Sequence, residues 1–341
     1  MKGGELDAPT LYTPHMASDT ETFSNRSGRN GQPFRNVPRL MVTRRERWPH
    51  RVDVTPQRPP APAGAHDAVI TFIGHATFLI QSSQGNVLTD PMFSKRASPV
   101  PFLGPRRVHV PGVRLEDLPR IDVVLLSHNH YDHLDLRTLR RLGERFEPLV
   151  ITPSRNGELV RKAGVDKVEE LAWWQPSRRA AFPVTCAPAE HFSARTPFDR
   201  NRALWGSFVF ELAGRRMYFA GDTGYSEHFR MIRARLGRPD VAFLPIGAYE
   251  PRWFMKDIHM NPAEAVQAHL DLEARRSIAM HFGTFQLTPE AIDAPVRELR
   301  NALETRHVDT EAFRTLTPGA SLHVDGATQN DEQRARTQMT R

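Results

Sequence analysis

The sequence has a single cysteine and no long apolar run. Cys186 cannot form a disulfide within the chain, which excludes a disulfide-stabilised scaffold, and its apolar neighbours predict a buried core position. No stretch of about 18 apolar residues occurs, which argues against a membrane-spanning helix. The N-terminus also lacks the apolar segment of a secretory signal. We therefore expect a soluble cytoplasmic protein, in which any membrane contact is peripheral.

The charge balance favours cations, because 46 Lys and Arg residues outnumber 39 Asp and Glu residues, giving a formal net charge of +7. Such a surface suits anionic partners such as phosphates, acidic membranes or nucleic acid, and it also suits a role in solubility alone. The basic residues are scattered and no nucleic-acid-binding motif accompanies them. We therefore expect no specific nucleic-acid partner, and a nuclease is kept only as a weaker alternative.

Three regions differ in composition. Residues 1–65 are rich in Pro, Arg, Ser and Asn, which predicts an N-terminal arm whose first part is disordered. Trp48 is one of the few apolar residues by which the arm could dock. Residues 66–325 contain the hydrophobic patterning of one folded domain, and residues 326–341 read as a polar C-terminal tail.

Within residues 66–325, short β-branched runs alternate with amphipathic segments, which is typical of a layered α/β domain. IDVVLLS is a continuous apolar run, as expected for a strand covered on both faces. LDLRTLRRLGERF and SEHFRMIRARLG place apolar residues at helical spacing, and NPAEAVQAHL begins with an Asn261 N-cap signal. AVITFIGHATFLIQSS and GNVLTDP are interpreted as a pair of strands with a turn near Gly85 and Asn86.

Seven potential metal ligands follow the ends of apolar runs. The segment SHNHYDH directly follows IDVVLLS and supplies imidazoles and a carboxylate, both of which zinc accepts. Three later apolar runs end in further donors, at the edge where open α/β sheets bind ligands. The seven residues are His128, His130, Asp132, His133, His191, Asp222 and His281. They exceed what one tetrahedral ion with an open position can use.

The order HxHxDH, a distant His, an Asp in GDTG and a final His resembles the metallo-β-lactamase superfamily. Within it, the chain more closely resembles the N-acylphosphatidylethanolamine-hydrolysing phospholipase D family, over about residues 72 to 285. The segments that carry this resemblance are GHATFLI, LTDPMFSKRASP, GPRR, IDVVLLSHNHYDHLD, WWQ, LWGS, FAGDTGYS, PIGAYEPRWFMK, NPAEAV and HFGTF.

The resemblance implies an α/β fold of the four-layered αββα sandwich type (the metallo-β-lactamase fold), with a dizinc site at one edge of the catalytic domain. One zinc would be held by His128, His130 and His191. The other would be held by Asp132, His133 and His281, and Asp222 would bridge the two ions. Iron or manganese are the alternative metals, and a homodimer is the implied assembly.

The implied activity is that of a zinc-dependent phosphodiesterase of phospholipase D type. It would cleave N-acylphosphatidylethanolamine to an N-acylethanolamine and phosphatidate, by attack of a hydroxide shared between the two metals. A hydrolase of the same fold acting on a lactone, a sugar phosphate or another phosphodiester is the alternative. The sequence contains no GxSxG-type nucleophile elbow, so covalent serine catalysis is not expected.

Other residues near these motifs receive supporting roles. His259 is the candidate that stabilises or protonates the leaving alkoxide, and it shares the catalytic role with Asp222. Asp90 and His75 are expected to orient metal ligands from behind by hydrogen bonding. The expected substrate contacts are Tyr249, Arg252, Trp253 and Lys256, of which Arg252 and Lys256 could meet a lipid phosphate or an anionic membrane surface.

Overall fold

The computed structural model describes residues 22–100 and 102–324. The disorder predicted for the first part of the arm, and the polar tail predicted for residues 326–341, concern positions outside these described residues. The strands in chain order are β1 (Ala68–Gly74), β2 (Thr77–Ser82), β3 (Gly85–Thr89), β4 (Val123–Leu125), β5 (Leu149–Pro153), β6 (Val168–Leu171), β7 (Val184–Ala187), β8 (Ser207–Leu212), β9 (Arg215–Phe219), β10 (Val241–Pro245), β11 (Arg276–Met280), β12 (Phe313–Arg314) and β13 (Ser321–Val324). The α-helices are α1 (Val37–Met41), α2 (Leu136–Phe146), α3 (Gly157–Lys162), α4 (His228–Leu236), α5 (Arg252–Met255), α6 (Pro262–Asp271) and α7 (Ala294–Thr305).

The strands form two mixed sheets. The first has the order β13-β1-β2-β3-β4-β5-β6, and the second has the order β12-β11-β10-β9-β8-β7. In the first sheet β3 to β6 are parallel, and in the second β9 to β12 are parallel. Because the carboxyl ends of parallel strands lie at one edge of their sheet, the loops that follow β4, β9 and β11 can meet.

The sheets pack face to face between layers of helices. The rings of Phe78 in β2 and Phe243 in β10 lie 4.6 Å apart, between the sheets. On the outer side of the first sheet, Leu139 of α2 and Val160 of α3 pack in a second apolar cluster. Phe229 of α4 packs with the core of the second sheet, together with apolar residues of α6 and α7. The predicted four-layered αββα sandwich is confirmed.

Strand β4 shows why its sequence is apolar throughout. Val123 and Leu125 belong to the cluster between the sheets, whereas Val124 and Leu126 belong to the cluster under α2 and α3. Alternate side chains thus enter different cores, as a strand buried on both faces requires. The predicted coverage on both sides is confirmed, and Cys186 is fully buried as expected.

Helix α6 begins where its sequence indicates. The Asn261 side chain accepts a hydrogen bond from the Glu264 N–H, and the Glu264 carboxylate accepts one from the Asn261 N–H. This reciprocal pair is a capping box, with Pro262 in the first helical turn. The helices predicted from LDLRTLRRLGERF and SEHFRMIRARLG are confirmed as α2 and α4.

The run AVITFIGHATFLIQSS is not one strand. It divides at Gly74 and His75 into β1 and β2, which pair as antiparallel neighbours. The chain reverses there because both residues have positive φ, 137° and 59°. The interpretation as a single strand was wrong, because a histidine in the left-handed region leaves no sign in the hydrophobic pattern. The turn predicted near Gly85 and Asn86 lies between β2 and β3, at Ser83 and Gln84.

The described part of the arm lies along the folded domain. The Trp48 indole donates a hydrogen bond to the carbonyl oxygen of Glu290 at 2.8 Å. Further along, the backbone N–H of Val52 donates to Val108, and that of Gln57 donates to Gly112. No helix in the described ranges is long and apolar enough to span a bilayer.

Candidate metal centre

Strand ends bring the seven sequence-predicted donors to one edge of the sandwich. The loop after β4 carries four of them, and the segments after β7, β9 and β11 carry His191, Asp222 and His281. All seven residues are buried or nearly so. Several of their ligand atoms lie within 4.8 Å of one another in groups of three or four.

Asp222 occupies the middle of the cluster. Its Oδ2 atom lies 3.1 Å from Nε2 of His133 and 3.1 Å from Nε2 of His281. The same oxygen lies 3.8 Å from Nε2 of His191 and 3.9 Å from Nε2 of His128. One carboxylate therefore faces imidazoles from both predicted halves of the site.

The half formed by His128, His130 and His191 is a compact group of imidazoles. Nδ1 of His130 lies 2.9 Å from Nε2 of His128 and 3.2 Å from Nε2 of His191. Burial lowers the pKa of His130 to about 3 and that of His191 to about 4, and it holds the pKa of His128 well below its ordinary value. These side chains are therefore free bases at neutral pH, the form that binds a metal ion.

The half formed by Asp132, His133 and His281 mixes carboxylate and imidazole donors. Oδ2 of Asp132 lies 3.5 Å from Nε2 of His133 and 3.4 Å from Nε2 of His281. Burial would lower the pKa of His281, but the carboxylates of Asp222 and Asp132 outweigh it and raise that pKa to about 9. The same carboxylates raise the pKa of His133 well above its ordinary value. Negative charge is thus concentrated in this half, where it would attract a cation.

Unpartnered buried atoms test whether these residues fit a metal. Nε2 of His133, Nε2 of His281 and Oδ1 of Asp222 are buried without a hydrogen-bond partner in the described structure. Buried polar atoms without partners are rare in native proteins and require an explanation. All three atoms belong to the cluster, and imidazole nitrogens with carboxylate oxygens are the donor set that zinc prefers. The residues present therefore fit a metal centre.

Asp90, which follows β3, anchors the first loop from behind. Its Oδ2 accepts from Nδ1 of His133 at 2.6 Å and from Oγ of Ser127 at 2.6 Å, and its Oδ1 accepts from the Ser127 N–H at 2.7 Å. With an Nδ1 proton held by Asp90, Nε2 is the nitrogen of His133 that points into the cluster. This is the geometry expected for a residue that orients a ligand imidazole.

His75 lies closer to the cluster than its supporting role suggests. Its Nε2 atom is 2.9 Å from Oδ2 of Asp132, and its carbonyl oxygen accepts the N–H of His281 at 2.8 Å. The Oγ of Thr284 accepts the His75 N–H at 2.9 Å. Both His75 and His281 have left-handed backbone, with φ of 59° and 61°. Such strained conformations persist where the surrounding structure fixes them, as at this edge.

His259 lies beside the two imidazole groups. Its Nε2 atom is 3.9 Å from Oδ2 of Asp222, and its ring stands perpendicular to that of His191 with centroids 5.0 Å apart. Burial holds the pKa of His259 well below its ordinary value. Its side chain is therefore neutral at neutral pH and available for hydrogen bonding at the centre.

The predicted substrate contacts lie in different environments. Tyr249 is buried, and Arg252 donates to the Glu264 carboxylate at 2.7 Å and to the His259 carbonyl oxygen at 3.0 Å. The Trp253 ring is 37% exposed and packs under the guanidinium of Arg39. Lys256 lines a separate cavity of about 540 Å³. The structure does not bring these four side chains together on one surface.

Two residues near the centre escaped the sequence interpretation. The Phe192 ring lies 4.5 Å from that of His130, and its position after His191 was the only signal for it. The side-chain oxygen of Asn25 accepts the backbone N–H of His191 at 2.9 Å. Asn25 belongs to the arm, whose polar composition gives no sign of such a contact.

A family model for the beta-lactamase superfamily domain matches residues 85–282. The chain belongs to the beta-lactamase superfamily. It is 44% identical over 245 residues to an uncharacterized protein of Mycobacterium tuberculosis, a match that covers 70% of this chain and 65% of that protein. The chain therefore spans less than two thirds of this relative.

The chain is also similar to N-acyl-phosphatidylethanolamine-hydrolyzing phospholipase D 1 of Caenorhabditis elegans. The identity is 37% over 262 residues, which is 73% of this chain and 74% of the relative. Among solved structures, a metallo hydrolase from the archaeon Ignicoccus hospitalis has the same fold, with a TM-score of 0.58 and 21% identity. That match covers 76% of this chain and all of the archaeal chain. The predicted resemblance to the metallo-β-lactamase superfamily, and within it to the N-acylphosphatidylethanolamine-hydrolysing phospholipase D family, is confirmed.

Proposed function

We propose that the protein is a metal-dependent hydrolase with two zinc ions, and that it cleaves a phosphodiester in an N-acylated phospholipid. Membership of the beta-lactamase superfamily supports the hydrolytic part of this proposal. The similarity to the Caenorhabditis elegans phospholipase supports N-acylphosphatidylethanolamine as the substrate. Its products would be an N-acylethanolamine and phosphatidate.

The placement of Asp222 is the observation that carries the proposal. Its Oδ2 atom lies within 3.9 Å of an imidazole nitrogen from each of His128, His133, His191 and His281. One ion could use His128, His130 and His191, and the other Asp132, His133 and His281. Because Asp222 lies between these two sets, its carboxylate could serve both ions of a dimetal hydrolase.

The metal ions would supply the activated water and neutralise charge on the phosphoryl oxygens. The protein's own residues hold the ligand atoms in place. Asp90 keeps a proton of His133 on Nδ1, so that Nε2 is the nitrogen that would bind a metal ion in exchange for its own proton. The carbonyl oxygen of Ile258, 2.9 Å from Nδ1 of His191, does the same for that imidazole.

His259 would act on the leaving group. Its low pKa keeps the ring neutral, so it donates a hydrogen bond through its N–H and does not carry a full positive charge. An N–H aimed at the departing oxygen stabilises the alkoxide as it forms. Of the two roles predicted for His259, we therefore propose stabilisation of the leaving oxygen by a hydrogen bond.

Substitution of the shared carboxylate tests the dimetal centre. Asp222→Asn replaces one charged oxygen by an amide nitrogen that cannot bind a cation, so we expect fewer than two zinc ions per chain. We also expect at least a hundredfold loss of kcat, because this change removes a ligand atom, whereas loss of a residue that only orients a ligand typically costs about tenfold to a hundredfold. Elemental analysis and turnover of N-acylphosphatidylethanolamine measure the two effects. The matched control is Asp293→Asn, because Asp293 is exposed and its one ion pair within the described residues is with Arg297.

Assays of the wild-type protein test which class of substrate it cleaves. Zinc-loaded protein would be assayed on N-acylphosphatidylethanolamine, a glycerophosphodiester and a lactone, with product detection by mass spectrometry. Cleavage of a lactone without any phosphodiester would contradict the phosphodiesterase proposal and favour the alternative substrate class. Full activity of metal-free protein, or of Asp222→Asn, would contradict the dimetal mechanism itself.

A further inference from the structure

Residues 22–31, which we call the arm loop, lie against the segment that carries His191. Phe23 packs on the hydrophobic core between the sheets, and its N–H donates to the carbonyl oxygen of Asn201 at 2.8 Å. Asn25, near the middle of the loop, is only 4% exposed. A polar side chain this buried requires hydrogen-bond partners, and these lie at the edge of the metal centre.

The oxygen and the nitrogen of the Asn25 side-chain amide form hydrogen bonds to different segments of the chain. Its Oδ1 atom accepts from the backbone N–H of His191 and from Nε1 of Trp205, both at 2.9 Å. Its Nδ2 atom donates to the carbonyl oxygen of Arg29 at 2.7 Å, back within the arm loop. The backbone N–H of Asn25 donates to Oδ1 of Asn30 at 2.8 Å. The side chain is therefore held in one orientation, with its acceptor facing His191.

A second contact ties the arm loop to the residue before the ligand. Ser27 Oγ donates to Oε2 of Glu190 at 2.5 Å, and the Ser27 N–H donates to Oε1 at 3.3 Å. The backbone of Glu190 is hydrogen-bonded to the turn that directly follows Asp222. Its N–H donates to Oγ of Thr223 at 2.9 Å, and its carbonyl oxygen accepts the N–H of Gly224 at 2.8 Å. The arm loop and the two ligand-bearing segments thus form one hydrogen-bonded unit.

We propose that Asn25 is a positioning residue for His191 and that the arm loop is a structural part of the metal centre. This inference rests on the proposed function, in which His191 is a metal ligand. Strand β7 ends at Ala187, four residues before His191, so the sheet no longer fixes the backbone there. The Asn25 oxygen takes the place of the missing ladder partner for the His191 N–H.

Loss of that acceptor would act directly on the ligand geometry. The buried N–H of His191 would have no partner, and the backbone would turn to find one. Such a turn would move Nε2 of His191 away from its position 3.2 Å from Nδ1 of His130 and 3.8 Å from Oδ2 of Asp222. Partners that orient metal ligands typically contribute about tenfold to a hundredfold in metal affinity.

Three variants of the full chain separate positioning from general stability. Asn25→Ala removes the acceptor. Asn25→Asp keeps an oxygen for His191 and Trp205 but sets a second carboxylate oxygen against the Arg29 carbonyl oxygen, so it lowers stability without removing the acceptor. Asn36→Ala is the matched control, because the Asn36 amide lies on the same arm and, among the described residues, donates to Gln32 at 2.8 Å and not to the metal centre. Zinc affinity is measured by chelator competition, and the absorption spectrum of the cobalt-substituted protein reports the ligand geometry.

We expect zinc binding to Asn25→Ala to be about tenfold to a hundredfold weaker than wild type, with an altered cobalt spectrum. Asn25→Asp should recover most of that affinity, and Asn36→Ala should match the wild type. Wild-type affinity in Asn25→Ala would overturn the inference. So would equal losses in all three variants, since they would indicate a general effect on folding.

Hydrogen exchange of the wild-type protein provides a measurement that needs no variant to fold. In the metal-free wild type, the His191 amide should be protected to the same degree as strand amides, and an unprotected amide would overturn the inference. None of these readouts uses a substrate. If wild-type protein binds two zinc ions and cleaves no phosphodiester, the proposed function fails while the role of Asn25 is still decided by zinc affinity and exchange.

Discussion

Asp90→Asn tests whether the proton on His133 is controlled from behind. Asp90 is fully buried, and its Oδ2 accepts from Nδ1 of His133 at 2.6 Å. In the asparagine variant, the oxygen can still accept the Ser127 N–H, but an NH₂ group then faces Nδ1. That group donates, so in the neutral imidazole of the variant Nδ1 is the acceptor and the single ring proton lies on Nε2. A protonated Nε2 cannot bind a metal ion.

The size of the effect follows from the contacts. A hydrogen bond involving a charged group contributes about 1.5 to 3 kcal/mol, so the metal-free variant should lose about 2 kcal/mol in its free energy of unfolding. The change of tautomer is the larger consequence for function, because partners of metal ligands typically account for about tenfold to a hundredfold in affinity. Urea unfolding measures the first quantity, chelator competition with zinc measures the second, and ¹⁵N chemical shifts of His133 report the tautomer.

Asp135→Asn is the matched control. Asp135 is also a buried carboxylate, and its Oδ2 accepts from the Ser94 N–H at 2.9 Å and from Oγ of Thr138 at 2.6 Å. It should lose stability like Asp90→Asn but keep its zinc affinity, since it holds no imidazole. Equal zinc affinity in Asp90→Asn and wild type would refute the reasoning, as would an unchanged His133 tautomer.

Two further predictions concern positions defined by packing and burial. Gly221→Ala should lower the free energy of unfolding by about 2 to 3 kcal/mol, because its Cβ would lie 2.5 Å from Cβ of Ser127. Gly214 has a similar φ but open space around it, so Gly214→Ala should lower the free energy of unfolding by only about 1 kcal/mol in the same urea titration. Equal losses in the two variants would contradict the steric account. Burial lowers the pKa of His269 to about 4, below the 6.5 of an unfolded chain, so protonation favours unfolding as the pH falls from 6.5 toward 4. Replacing it by Asn should make the metal-free protein less acid-sensitive by about 1 kcal/mol between pH 7 and pH 5. An unchanged pH dependence would show that His269 does not contribute.

The clustering of the seven donors at one edge could be predicted from the sequence because each lies in the segment that follows an apolar run. Burial of IDVVLLS between two cores determines where β4 ends, and the next residues, from Ser127 to His133, must emerge at the edge of the sheet. The same reasoning applies to His281 after β11. The caps of α6 could be predicted for a similar reason, since Asn261 and Glu264 bond to backbone within three residues. These features depend on local pattern, which a single sequence contains.

Other features depend on contacts between distant segments. The hydrogen bond from the His191 N–H to Asn25 joins residues 166 positions apart. Asn25 itself lies in a segment whose composition is that of a disordered arm. The hairpin at Gly74 and His75 depends on a left-handed histidine, which is held by the bond from its N–H to Thr284 and by the N–H of His281. Neither contact leaves a periodic signal, and both lie at the metal centre.

The loop that carries His259 shows how a motif can be recognised without revealing what its side chains do. The sequence interpretation gave Arg252 a possible contact with a lipid phosphate or an anionic membrane surface, since a guanidinium suits such anions. In the structure the same guanidinium binds Glu264 and the carbonyl oxygen of His259, so it fixes the loop against the start of α6. Glu264 also completes the cap of α6. The backbone at His259 is therefore held by contacts that run from the start of α6 through the Glu264 carboxylate to the Arg252 guanidinium. The composition of PIGAYEPRWFMK therefore fits a loop whose contacts fix the segment leading to His259, and the partly exposed Trp253 stays a predicted substrate contact.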